Sequence, residues 1–467
     1  MKKLLFLVTI FLFSQISFAQ INMTGTEGPI VLTNFTFRHP MTATSVEEIV
    51  KVKDRIAKGI EPQASAFKKL VAAGNVQLYF IPDPPDSMNI IGGYEPGNTL
   101  VAQRAWLWKN CSCAYTCALA YAYTGETKYA NKAVAVLNAW ATKGTVFYGG
   151  DAGLQLGSYF SPMLYAADLL HDYVGWTATD RTKFKTWWTA RCLVHTKTIL
   201  NTKFNNWLDA GLLGVMSAAV VFEDASLLQT ALNKLLLYFQ VNPSSSTPAN
   251  PSWKMSKDSR GYYLTDEVDR NLGRSGLTYS YYSLTTGVQC FEIARYAGYN
   301  FWTAKTTKGA TYQGVIEQLF KWSIDGVTFP FYTGTPDNDK ANQFNSYEIA
   351  NSNFKVSSTI TQWLATNRPV IGAQGDEYVT LNKGDIFNYT ITDISEITTD
   401  NFRIFRQSNG IVNIKSSIDY KVQAIVYNKL GMRLKQISLI NGDNFISLPT
   451  NDLYIVQIDK KAFKILL

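Results

Sequence analysis

Apolar residues recur at helical spacing through most of the first 365 positions, and they alternate with polar ones after about residue 370. Ser45-Val-Glu-Glu48 is a capping box that opens a first helix, and Pro62 marks the start of a second. A helical pattern from about 102 to 123 closes at Thr124-Gly125. The next segment, TKYANKAVAVLNAWA, puts Ala130, Ala133, Leu137 and Trp140 on one stripe. Further helical patterns run through about 157–171, 177–200, 206–222, 225–240, 275–297, 311–323 and 343–364. Short Gly-, Pro- or Asn-rich links separate them, so neighbours should pack antiparallel, as a layered bundle or an α/α toroid. The segment from Asn242 to Ser252, NPSSSTPANPS, reads as a loop. The runs FRIF, IVNIK, VQAIVYN, KQISLI, NFISL, LYIVQI and FKILL then predict a small antiparallel β-sandwich, with turns at Ser408-Asn-Gly410 and Asn441-Gly-Asp443. The expected division is a leader at 1–19, a helical domain at 20–365, a β-rich linker at 366–394 and the sandwich at 395–467.

The leader changes the compartment. Lys2 and Lys3 precede the apolar run Leu4–Phe13, and Ser17-Phe18-Ala19 offers a cleavage site. This is a secretory signal peptide by pattern, and the run is too short to span a bilayer. The protein is expected to leave by the periplasm and act as a secreted or cell-surface molecule, with no membrane span. The formal net charge is +8, and it stays positive once Lys2 and Lys3 are removed. A positive exported protein attracts polyanions, and outside the cell these are acidic glycans rather than nucleic acid. Cys113 and Cys117, four apart, read as one face of a core helix. With three histidines, His39, His171 and His195, the sequence does not point to a histidine-rich metal centre, and no metal or other cofactor is expected.

Two segments carry candidate chemistry. Phe204-Asn-Asn-Trp207 stands directly before an apolar helix. Asn205 or Asn206 suits the cap of that helix; alternatively an amide there donates to a substrate carboxylate, with Trp207 stacked on a sugar. The second runs from Asp266 to Tyr282, DEVDRNLGRSGLTYSYY. Arg270 and Arg274 are four apart, and Arg274 and Tyr281, seven apart, would share a face on a continuous helix. Arginine binds a carboxylate bidentately, and a tyrosine beside a cation can act as a base. The plainer reading is a salt bridge of Glu267 or Asp269 with Arg270 and half-buried tyrosines.

A family resemblance bears on that choice. AYAYTGETKYANKAVAVLNAWA resembles the TGD-x-x-YA…LNAWA helical pair of alginate-lyase-like proteins. FRHPMTATSVEEIVKVKDRI, LYAADLL, NNWLDAGLLGVMSAAVVFED, EVDRNLGRS and FEIARYAGYNFW resemble other phrases of that family, in the same order over about residues 35–330. The resemblance implies an incomplete α/α toroid with a long cleft, and β-elimination in a uronate polymer. In that scheme Asn206 matches the family asparagine, Arg270 its arginine, and Tyr281 or Tyr282 its tyrosine. Trp207 falls where the family has histidine, and Arg274 falls where another histidine stands. Asn205, Trp207 and Tyr279 are taken as substrate contacts, and no metal is needed. From Ile404 to Leu467 the chain resembles the C-terminal sorting domain of type IX secretion, through VYNKLGMRLKQ, LPTNDLYIVQI and Lys460-Lys461. That implies the secretion machinery as a partner; a carbohydrate-binding or purely structural sandwich is the alternative.

Two other functions remain open at the level of sequence. Loss of the histidines suits a non-catalytic glycan-binding protein on the same fold. A glycoside hydrolase on a similar toroid would need two carboxylates across one cleft, for which Asp266, Glu267 and Asp269 are the candidates.

Overall fold

The structure is a computed structural model. It describes residues 20–467 except 94–95, 98–99, 241–253, 339–343, 370–373, 390–395, 399–400, 408–410, 419, 429–432, 450–452, 459–460 and 467. The leader, the loop at 242–252 and the turn at 408–410 thus lie outside the described residues. The chain divides into two compact units, Met1–Tyr389 and Thr390–Leu467.

The first unit is helical. Its helices are α1 (Val46–Ala57), α2 (Gln63–Gln77), α3 (Leu100–Thr124), α4 (Thr127–Lys143), α5 (Ala152–Ser158), α6 (Pro162–Leu169), α7 (Ala178–Trp188), α8 (Val194–Thr202), α9 (Asn206–Val221), α10 (Ala225–Gln240), α11 (Gly276–Tyr296), α12 (Tyr312–Ser323), α13 (Phe344–Asn351), α14 (Ser358–Asn367) and α15 (Val379–Lys383). A π-helical turn, Thr189–Leu193, joins α7 to α8. Local chemistry sets the ends. The capping box of Ser45 and Glu48 opens α1, and Gly125 and Gly144, at φ of 76° and 70°, let the chain turn after α3 and α4. The predicted stripe Ala130, Ala133, Leu137 and Trp140 is fully buried, as are Cys113 and Cys117 on α3. The pattern read as one helix over 343–364 is two, because Ser357 accepts from the Ile360 amide and caps a new start for α14.

The core is organised around α9. It packs against α5, α6, α8, α10 and α11, and from Leu208 to Val220 it is buried on every side. Consecutive helices pack on each other, α3 on α4 and α8 on α9 among them, as short links require. Residues 379–389, expected within a β-rich linker, belong to the helical unit instead. Val379, Leu381 and Ile386 join its core, and Lys383, 1% exposed in its side chain, holds Glu48 of α1 and Glu292 of α11, each at 2.7 Å.

The second unit holds strands β1 (Glu396–Thr398), β2 (Phe402–Gln407), β3 (Ile411–Ser416), β4 (Val422–Asn428), β5 (Arg433–Leu439), β6 (Gly442–Ser447), β7 (Leu453–Ile458) and β8 (Lys461–Leu466). They form two four-stranded sheets, ordered β5-β4-β7-β8 and β6-β3-β2-β1, with every pairing antiparallel. Alternation does the work: along β7, Tyr454, Val456 and Ile458 face inward to a core shared with Val412 and Ile414 of the other sheet. Gly442, at φ 99°, lets the chain pass from one sheet to the other through the predicted Asn441-Gly-Asp443 turn.

Candidate active site

A groove of about 500 Å³ opens at the N-terminal end of α9. Asn205 caps that helix, its Oδ1 accepting from the Trp207 amide at 3.3 Å. With the cap supplied by Asn205, the side chain of Asn206 is left for the groove. Asn206 is 5% exposed, and its Oδ1 is buried without a hydrogen-bond partner. An amide in that position can present its oxygen or its N–H₂ to whatever fills the groove. The positive end of a long buried helix adds to the attraction for an anion.

The segment from Asp266 to Ser275 forms the opposing wall as a tight turn. Asn271 and Leu272 have φ of 53° and 55°, and Gly273 has φ 88°. A Cβ on Gly273 would lie 1.9 Å from the carbonyl oxygen of Phe331. Gly273→Ala is therefore expected to lower stability by about 2–3 kcal/mol, the sum of a left-handed backbone and a clash with main chain; denaturant unfolding measures it. Glu267, buried, ties the two walls together. Its Oε1 accepts from the Asn206 backbone N–H at 2.8 Å, and its Oε2 lies 3.5 Å from Nη1 of Arg270. The Arg270 guanidinium sits 4.4 Å from the centre of the Tyr279 ring, and that ring meets Tyr282 edge-on at 5.7 Å.

Asn205, Asn206, Trp207, Arg270, Tyr279 and Tyr282 thus line one groove. Tyr281 and Arg274 do not. Tyr281 is fully buried on the core face of α11, its hydroxyl bonded to Ser323 and Tyr347, and burial pushes its phenol well above the usual range. Arg274 precedes α11, which begins only at Gly276, so the seven-residue helical spacing to Tyr281 does not apply. Its side chain is 63% exposed and lies 3.5 Å from Asp337. The three acids considered for hydrolysis do not face each other across the groove. Asp266 is buried against Lys254 at 2.9 Å, where burial pushes its carboxyl up to about 7 against the pull of that ammonium. Glu267 is engaged as above, and Asp269 is exposed.

Several lining residues were not singled out from sequence: Arg104 of α3, Gln155 and the neighbouring Tyr159, Lys203, and Gln374. Arg104 donates to Gln155 at 3.1 Å and stacks 4.4 Å over Tyr159. The Lys203 ammonium is 4.8 Å from the centre of the Trp207 ring. Three cations and one acid, Asp151, are among the described lining residues, interleaved with four aromatic rings. That composition suits a chain of sugar acids: the cations meet carboxylates and the rings cover sugar faces. No helix among the described residues is long and apolar enough to cross a membrane.

Residues 61–329 match the family described as alginate lyase. Among solved structures, an alginate lyase from Bacteroides ovatus is 17% identical, with a TM-score of 0.50 over 74% of this chain and 95% of its own. Alginate lyase A1-III from Sphingomonas species A1 is 14% identical, with a TM-score of 0.56 over 75% of this chain and 97% of its own. A tyrosine-to-phenylalanine variant of A1-III, complexed with a tetrasaccharide, gives 0.58 at 14% identity over the same 75% and 97%. At these identities the likeness is one of fold, an incomplete α/α toroid. No curated protein matches the chain.

Proposed function

The chain belongs to the alginate lyase family, and from that premise we propose that this polysaccharide lyase cleaves alginate or a related uronate polymer by β-elimination. The observation that carries the substrate class is the convergence of Asn206, Arg270 and Tyr282 on one groove lined by further cations and aromatic rings. In this reading Arg270 and the Asn206 amide bind the uronate carboxylate and acidify the adjacent carbon. The Tyr282 phenolate takes the proton from that carbon. The electron pair left behind forms a carbon–carbon double bond as the bond to the glycosidic oxygen breaks. The phenol so formed returns its proton to the departing oxygen, which leaves Tyr282 ready for another cycle. Preorganised charge at the developing enolate supplies the largest share of the acceleration.

Trp207 occupies the place that the family resemblance gives to histidine. In the proposed scheme it stacks on a sugar ring, with Lys203 over its other surface, and Tyr282 carries the proton transfers without an imidazole. We propose further that the leader directs export and that the C-terminal sandwich serves the secretion machinery.

Incubating the purified chain with a panel of uronate polymers, alginate included, is expected to raise ultraviolet absorbance as unsaturated chain ends form, with products lacking the mass of an added water. Tight binding with no product on any polymer would make it a glycan-binding protein; products carrying an added water would make it a hydrolase.

A further inference from the structure

At the other end of α9, away from the groove, two of the three histidines come together. His39 lies on the N-terminal strap before α1, His171 just beyond α6, and Glu223 in the turn between α9 and α10. The Nε2 of His39 is 3.6 Å from Glu223 Oε1, and the Nε2 of His171 is 3.9 Å from the same oxygen. The three ligand atoms all lie within 4.8 Å of one another. The edge of a tetrahedral zinc site with bonds of about 2.0–2.1 Å is about 3.4 Å, close to the two histidine–glutamate separations.

Each histidine also has a carboxylate on its far nitrogen. Asp168 Oδ1 meets Nδ1 of His39 at 2.5 Å, and Asp172 Oδ1 meets Nδ1 of His171 at 2.9 Å. A carboxylate on Nδ1 fixes the proton there and turns the Nε2 lone pair outward, which is the outer-shell arrangement of metal-binding histidines. Asp168 is itself held by the amides of Met41 and Thr42 and the Thr42 hydroxyl, so the His39 ring is fixed. The His39 side chain is 96% buried by the complement of its 4% exposure, yet its Nε2 has no hydrogen-bond partner. Glu223 adds a further sign. It follows α9 at φ 53°, a left-handed position where glycine or asparagine is favoured, and its carboxylate faces the two imidazoles.

We propose that His39, His171 and Glu223 form a divalent transition-metal site, best suited to zinc, with a water as the fourth ligand. The rings of His39 and His171 stack at 3.7 Å and nearly parallel, so binding tips the ring of His171, which is 31% exposed, to aim its Nε2 at the ion. The ion then clips together three segments far apart in sequence. α9 has 16 residues, so at 1.5 Å per residue the site lies about 24 Å from Asn206. The role is structural and separate from the groove, and its test does not depend on the lyase reading.

The test uses the full chain, stripped with a chelator and titrated with zinc chloride alone. The expected result is one zinc per chain and a rise in apparent Tm on the order of 3–5 °C at a hundredfold excess over Kd. His171→Ala, a partly exposed position whose loss leaves the fold intact by circular dichroism, should abolish both. Asp172→Asn should weaken zinc binding by about 10–100-fold. Absence of stoichiometric zinc, or equal binding and equal shift in His171→Ala and the parent chain, would overturn the proposal. So would a Tm that follows the protonation of His39 between its two carboxylates and ignores zinc.

Discussion

Tyr282→Phe is expected to lower kcat by about 10³-fold or more, while Tyr281→Phe leaves it within about twofold. The contrast comes from one helical step. Tyr282 and Tyr279 stand three apart on the groove face of α11, whereas Tyr281, about 100° round the helix, points into the core between Ser323 and Tyr347. Removing the Tyr282 hydroxyl takes away both the base and the acid of the proposed elimination, and no histidine is among the described lining residues to replace them. Removing the Tyr281 hydroxyl costs two buried hydrogen bonds, to Ser323 and Tyr347, worth about 1 kcal/mol each, and should show in stability instead. Steady-state kinetics on the uronate polymer that the panel identifies, with unfolding curves for both variants, separates the two effects. Loss of activity in Tyr281→Phe equal to that in Tyr282→Phe, in variants of equal fold, would remove the assignment of the base.

That pair shows how far the residues could be read before the fold. The Asp266–Tyr282 segment was legible as a candidate site because arginine and tyrosine cluster there, and Arg270, Tyr279 and Tyr282 of it line the groove. Which tyrosine faces the groove was not, since helical spacing was counted from Arg274, and α11 starts two residues later. Three consecutive positive φ values at Asn271, Leu272 and Gly273 likewise interrupt the four-residue spacing of Arg270 and Arg274, and only the glycine advertises such a turn in sequence. At Phe204-Asn-Asn-Trp207 the two readings, cap and ligand, prove compatible: Asn205 takes the cap and Asn206 lines the groove. Arg104, Gln155 and Gln374 could not be found by spacing, because they lie 49 or more residues from either motif. Lys203 was within reach, one residue before the motif. The helical unit was legible where polar caps and apolar stripes agree, as in α1 and α4. It was not legible at α15, which is held in the first unit largely by buried polar partners far away in sequence: Lys383 on Glu48 and Glu292, Thr380 on Glu348, and Asn382 on Tyr115 and Tyr123.

Lys383→Met is expected to destabilise the helical unit by about 3–5 kcal/mol, because it leaves buried carboxylates without one of their cations. Lys383 Nζ holds Glu48 Oε2 and Glu292 Oε2 at 2.7 Å each, and Arg295 bonds to both glutamates from the other side. Tyr296 adds its hydroxyl to Glu48 and to Lys383. These groups draw α1, α11 and α15 together. Burial pushes the carboxyl of Glu292 up, but Arg295 and Lys383 more than reverse this and hold it well below the usual range; Glu48 is lowered in the same way, chiefly by Lys383. A carboxylate with a depressed folded pKa contributes stability above its unfolded pKa and loses it as pH falls through the folded value. The deficit of the variant should therefore be full at pH 7 and shrink below about pH 4.5, as both glutamates take up protons and the missing ammonium ceases to matter. Guanidinium unfolding of parent and variant at pH 7 and pH 4 reads this directly. A deficit that is the same at both pH values would mean that Lys383 acts through packing of its aliphatic stem rather than through its charge.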